Sequence, residues 1–304
     1  MIQQSSRMVA FAFLTLAGVA FAQAKDPCLA FLLRADVTVL CEKKTTQVTH
    51  LRNIESFAVS EERSSFAFAN SGAASAYTTT VIDLKAGTSK KVEGIESVVS
   101  TCGGILPNQN RPRTSTRDVV TGEDLTFAPY VRFRCSADRR VVVGITKDGS
   151  TKDQRSDLYE GLPPSAKIAA FEDVDAYYFG VSPDGSRVAY YNDVRPLCVL
   201  TRLGTAQCVE HSTISDPVSV NDSGEVLVAT GTGRGCVYRT SYDFSPAATR
   251  AGGDDECLGI GYWKPGMKAI SFIVPLGRNP QWISPRIAAS LIQWSVKPNE
   301  SVRK

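Results

Sequence analysis

Acid–base or metal chemistry in this chain has few side chains to draw on. There are only two histidines, His50 and His211, and neither stands at zinc spacing from a cysteine pair; no C-x-x-C occurs among the eight cysteines. No metal and no cofactor is therefore expected. Carboxylates give the better lead. Glu172, Asp173 and Asp175 precede an apolar run that begins at Tyr177, and Asp216 holds the corresponding place before Val218. Carboxylates repeated ahead of repeated strands can converge on one opening and hold a cation or a basic peptide. Asp173, Asp175, His211 and Asp216 are the candidate ligand-binding residues, and no residue is assigned a catalytic role.

The other motifs read as structure. No G-x-S-x-G nucleophile elbow is present. The run Gly231-Thr232-Gly233-Arg234-Gly235 leads into the strand-like CVYRTSY, so the helix N-terminus that would bind a pyrophosphate is missing. Asp254-Asp255-Glu256 lacks the alternating oxygen ligands of a calcium loop and reads as a charged turn. Arg111, Arg113 and Arg117 form a basic stretch that suits an exposed inter-strand loop or a surface for acidic groups. Asn221-Asp222-Ser223 and Asn299-Glu300-Ser301 match the glycosylation sequon.

The first 24 residues assign a compartment. Arg7 precedes a 15-residue apolar run, Met8 to Ala22, which ends in Ala22-Gln23-Ala24. This is the pattern of a secretory signal peptide with its cleavage site, and the run is shorter than the roughly 20 residues of a spanning helix. A periplasmic or secreted product with no stable membrane insertion is expected. The whole chain of 304 residues carries 34 basic and 31 acidic side chains, too even a balance for a dedicated nucleic-acid binder. Its 43% hydrophobic content also excludes a disordered chain.

All eight cysteines lie in the exported part, where an even number favours disulfides. Sequential pairing joins Cys28 to Cys41, Cys102 to Cys135, Cys198 to Cys208 and Cys236 to Cys257. The third pair is the clearest, because LCVLTR and QCVEH flank a short LGTA connection and read as one hairpin.

The elements that position these residues follow from a repeat. In YYFGVSPDGSRVAYY, Tyr177 to Tyr191, Val- and Tyr-rich runs flank Ser182-Pro183-Asp184-Gly185-Ser186, a turn with Pro and Gly where a β-turn wants them. The outline recurs at Phe57, Tyr130, Pro217 and Gly261, with a degenerate copy from Ser97. A period of about 40 residues is that of a propeller blade of four strands. Second strand pairs are expected between the hairpins, the least clear being RSDLYEGLPPSAKIAAFEDV with its double proline. The segment CLAFLLRADVTVLCEKKTTQVTH has only an outer-pair pattern and is expected to complete the last blade, closing the ring.

SPDGSRVAYY resembles the hairpin of TolB-type propeller repeats. The resemblance implies an all-β propeller and leaves function open among protein-binding modules, regulatory caps and polysaccharide lyases or hydrolases. Six four-stranded blades are expected, or seven if RIAASLIQWSV supplies an outer strand, with no competing helix. The domain division is a signal peptide over 1–24, one propeller over 25–298 and a tail over 299–304. The functional expectation is a non-catalytic, monomeric binder of a protein or glycan at one channel face; the alternative is a polysaccharide-active lyase or hydrolase using channel carboxylates.

Overall fold

The structure is a computed structural model that describes residues 27–71, 77–108, 115–127, 130–146, 156–160, 166–171, 179–192, 195–201, 206–209, 218–230, 259–275 and 277–296. Antiparallel strands make up nearly all of it. The first are β1 (Cys28–Leu33), β2 (Asp36–Cys41) and β3 (Lys44–Gln47), followed by a four-stranded sheet of β4 (Ile54–Ser60), β5 (Ser65–Ser71), β6 (Tyr77–Asp83) and β7 (Ser89–Glu93). Next come two separate hairpins, β8 (Val98–Thr101) with β9 (Gly104–Pro107) and β10 (Ser115–Arg117) with β11 (Asp124–Thr126). A four-stranded sheet follows: β12 (Tyr130–Cys135), β13 (Val141–Thr146), β14 (Ser156–Glu160) and β15 (Ala166–Phe171). The next holds β16 (Phe179–Val181), β17 (Arg187–Asn192), β18 (Arg195–Thr201) and β19 (Ala206–Val209). Another is built from β20 (Ser219–Val220), β21 (Val226–Thr230), β22 (Gly259–Trp263) and β23 (Ser271–Pro275). Strand β24 (Arg278–Ile283) then pairs with β1, giving the order β24-β1-β2-β3, and helix α1 (Pro285–Val296) follows it.

One turn plan repeats where first strands end. Ser182 Oγ donates to Asp184 Oδ1 at 2.7 Å and accepts from Arg187 N at 3.0 Å. Ser136 does the same with Asp138, at 2.6 Å, and Val141 N, at 3.1 Å. In the third copy the Asn221 side-chain oxygen accepts from Ser223 N and Glu225 N. Gly185 and Gly224 take positive φ in two of these turns, +74° and +79°, and Arg139 takes +65° in the other. The hairpins expected at Tyr130, Tyr177 and Pro217 are thus β12–β13, β16–β17 and β20–β21.

Neighbouring first strands are also bonded to each other, in a cycle. Val98 N donates to Ser56 Oγ, and Ser60 Oγ to Gly103 O, between β4 and the β8–β9 hairpin. Thr101 Oγ1 both accepts from Cys135 N and donates to Cys135 O, between β8 and β12. Ala137 N reaches Pro183 O, Asp184 N reaches Asp222 Oδ1, and Trp282 N reaches Ser219 Oγ. Gln281 completes the cycle like an extra backbone segment: its Oε1 accepts from Val59 N at 3.0 Å and its Nε2 donates to Val59 O at 2.7 Å.

Several expectations need correction. The hairpin from Gly261 is not a first pair; β22 and β23 complete the sheet begun by β20 and β21. The first strand of the final sheet is β24 instead. RIAASLIQWSV is neither strand nor loop but lies within α1, whose Ile287, Ala288 and Leu291 bury one face against β1, β2, β4 and β5 residues such as Leu32, Val39, Phe57 and Phe66. The stretch with the double proline does supply two paired strands, β14 and β15, with residues 163 and 164 between them in sequence.

Three disulfides occur among the described residues. Cys28–Cys41 and Cys198–Cys208 tie hairpins, the latter across directly opposed residues of β18 and β19. Cys102–Cys135 joins the end of β8 to the end of β12, linking two sheets with a Cα separation of 4.7 Å. Such bonds belong to an oxidising, extracytoplasmic compartment. Cys236, Cys257 and residues 1–26 lie outside the described residues, as do the pairing and the leader segment read there. Among the described residues no helix is long and apolar enough to cross a membrane.

Candidate functional site

The strands β4, β8, β12, β16, β20 and β24 all contribute to the wall of one cavity. Its volume is about 150 Å³. Close approach of the strands is built in at Gly180 of β16, where a Cβ would sit 2.2 Å from Val218 O. Side chains that could offer hydrogen bonds to a ligand here are largely spent on the wall itself. Thr101, Ser219, Asn279 and Gln281 line the cavity and bond across to neighbouring strands or their backbones. What remains for contact is mostly apolar, including Phe57, Val59, Val99, Val181 and Val220.

Two mouths differ in charge. The turn mouth, where the first strands end, carries Glu61, Glu62, Asp184 and Asp222. Glu61 is occupied, accepting from Ser284 N and Ser284 Oγ at the start of α1. The Asp222 carboxyl is pushed up by burial, by the charge of Asp184 and by that of Glu62. Burial acts on Asp184 in the same sense, but hydrogen bonds from Ser186 N and Ser182 Oγ outweigh it and hold Asp184 below the usual range. Beside this cluster a cationic pair is already neutralised. Arg139 makes two bonds to Glu123, at 2.7 and 2.8 Å, and holds that carboxyl below its ordinary value. Arg63 lies 3.4 Å from Asp118, a carboxylate that is 0% exposed.

The upstream mouth, where the first strands begin, holds a smaller cavity lined by Leu32, Glu55, Ser56, Ser97, Val98, Asn108, Arg278 and Asn279. Asn108 is fixed there by Arg134, whose Nη2 donates to its Oδ1 at 3.0 Å. Glu96 is engaged by the Tyr77 hydroxyl and raises that phenol above its usual value.

The four ligand-binding candidates, Asp173, Asp175, His211 and Asp216, lie outside the described residues, together with Glu172, Arg111, Arg113, the glycine run 231–235 and the acidic tract 254–256. His50 is exposed in the connection between β3 and β4. Arg117 is paired through two bonds with Asp124 across the β10–β11 hairpin. The Asn221 sequon is a turn device: its amide nitrogen donates to Glu225 at 2.7 Å while its oxygen organises the turn. Among the described residues no group of three or more His, Cys, Asp or Glu could hold a metal ion. Sequence reading missed the turn-mouth carboxylates as a group, although Asp184 and Asp222 stand in the two turns it recognised most readily.

No protein-family model matches the sequence, and no curated protein does. Among solved structures the chain is similar to the crystal structure of TolB from Acinetobacter baumannii, with a TM-score of 0.57 and 13% identity, over 84% of this chain and 66% of that one. A crystal structure of the tricorn protease is also similar, with a TM-score of 0.41 and 12% identity, over 82% of this chain and 29% of that one. At such identity the likeness concerns architecture, and architecture does not transfer function. The chain has a TolB-like β-propeller fold.

Proposed function

We propose that the chain is an exported, non-catalytic six-bladed propeller that binds a protein partner at the turn mouth of its channel. The cycle of six first strands supports six blades, with β8–β9 and β10–β11 taken as the two halves of one blade. The count agrees with about 47 residues per blade once a 24-residue leader is removed. The observation that carries the binding reading is the set of carboxylates Glu62, Asp184 and Asp222 at the rim of an apolar bore. Mutual repulsion there is relieved by a lysine or arginine, and the bore takes the apolar residues beside it. Asp173, Asp175, His211 and Asp216 are proposed as additional ligand-binding residues on their place in the sequence alone, ahead of β16 and β20. The compartment proposed is the periplasm or the medium, with the protein a monomer.

The test is retention of partners from an extracytoplasmic fraction by the immobilised chain and by Asp184→Asn/Asp222→Asn. The expected result is a protein held by the first and lost by the second, in a salt-dependent manner. Equal retention by both overturns the assignment of the turn mouth. Turnover of a polysaccharide that is abolished by the same pair of substitutions overturns the non-catalytic reading in favour of a lyase or hydrolase.

A further inference from the structure

The upstream cavity supplies hydrogen-bond donors that the fold leaves unused. Arg278 opens β24, lines the cavity at its solvent-exposed side, and makes no side-chain hydrogen bond or ion pair to any described residue. The Ser97 hydroxyl, half-buried, has no side-chain bond to a described residue either; its carbonyl is the group that accepts from Asn108 N. Asn108 is oriented by Arg134 through its oxygen, which leaves its amide hydrogens as donors in the same cavity. The space is small, about 90 Å³.

We propose that this cavity is a carboxylate-binding subsite, with Arg278 as the charged anchor and Ser97 and Asn108 as neutral donors. A guanidinium fork matches the two oxygens of a carboxylate, and charge-assisted bonds of this kind are stronger than neutral ones. Glu55 also lines the cavity and opposes the anion, so the site is weak for a free acid and selective for one held in place by further contacts. The carboxylate comes either from a small free acid or from an acidic side chain of a protein partner. The proposal stands apart from the turn-mouth reading, since it concerns the opposite end of the channel.

The experiment is calorimetric titration of the full exported chain with N-acetylglutamate, with N-acetylglutamine as the neutral control, and with an acetylated hexapeptide containing one glutamate among alanines. Binding of the acid but not the amide is expected, weakened at least tenfold by Arg278→Gln and strengthened by Glu55→Gln. Lys44→Gln, at an exposed position of β3, leaves it unchanged. A peptide binding at least tenfold more tightly than N-acetylglutamate assigns the carboxylate to a partner chain; equal affinities assign it to a free acid. Both support the subsite. Equal binding of acid and amide, no binding at 10 mM acid or peptide (about 10-fold above a 1 mM Kd), or indifference to Arg278→Gln in a variant that melts like the parent overturns it.

Discussion

Arg139 occupies the left-handed position that glycine fills in the sister turns, and it does so while bonding Glu123 twice and Cys102 O once. Two effects therefore oppose each other at one residue. Arg139→Ala loses the clamp and keeps the backbone strain, whereas Arg139→Gly loses the clamp and removes the strain. The glycine variant is expected to be more stable than the alanine variant by about 1 kcal/mol, the usual cost of an L-residue in this conformation. Urea unfolding of the two variants checks this; equal midpoints and slopes contradict it. The Glu123 carboxyl is held down by Arg139, so the pair's stabilisation is present above the ordinary carboxyl range and fades as pH falls through the lowered value. Asp222 behaves oppositely. Its raised carboxyl opposes folding once ionised, so Asp222→Asn is expected to raise the melting temperature at pH 7 and to lose that advantage in acid. Solvent screening keeps the effect to about 0.5 kcal/mol. Melting curves at pH 7 and in acid measure it, and an advantage that grows in acid has the wrong sign.

At the scale of elements, β24 shows why part of the fold escaped a reading by alternation. Its sequence RNPQWI contains a proline and two amides and looks like a connection. Pro280 is tolerated because β24 is the edge strand of its sheet, with only β1 beside it. Its amides do not face solvent; Asn279 and Gln281 bond the backbone of β4. Polar residues used sideways between sheets are invisible to a pattern that sorts residues into core and solvent. Replacing Gln281 with leucine leaves Val59 N and Val59 O without these partners and is expected to cost about 1–3 kcal/mol. Chemical denaturation measures the loss, and a neutral result removes Gln281 from the closure. Helix α1 was legible in principle. Ser284-Pro285 is a start signal, and Ile287, Ala288 and Leu291 carry helical spacing. Their 3.6-residue spacing does not register in an alternation of period two. The clearest hairpins were legible because each carries its own turn chemistry, Ser182 with Asp184 and Asn221 with Glu225.

For the molecule as a whole, the first described strand, β1, and the last, β24, pair in one sheet. Leu32, Val37 and Val39 of the first strands share a core with Ile283, Ile287 and Leu291 near the other end. Deleting residues 25–47 removes β1, β2 and β3 together, leaving β24 unpaired and half of that core exposed. The shortened chain is expected to lose its cooperative thermal transition, as circular dichroism would show; a sharp transition at the parent temperature contradicts closure by these strands. Three disulfides were legible from spacing, and they suit an oxidising, extracytoplasmic compartment. The site was less legible, because its carboxylates are assembled by the repeat rather than by neighbours in sequence. The binding reading at the turn mouth is tested most directly by site-specific photo-crosslinking in the extracytoplasmic fraction, with the reactive residue placed at Ser223, beside Asp222, or at Lys90 on the outer strand β7. A discrete adduct from Ser223, absent from Lys90 and lost in Asp184→Asn/Asp222→Asn, is the predicted result. Adducts of the same identity from both positions, or none from Ser223, contradict it.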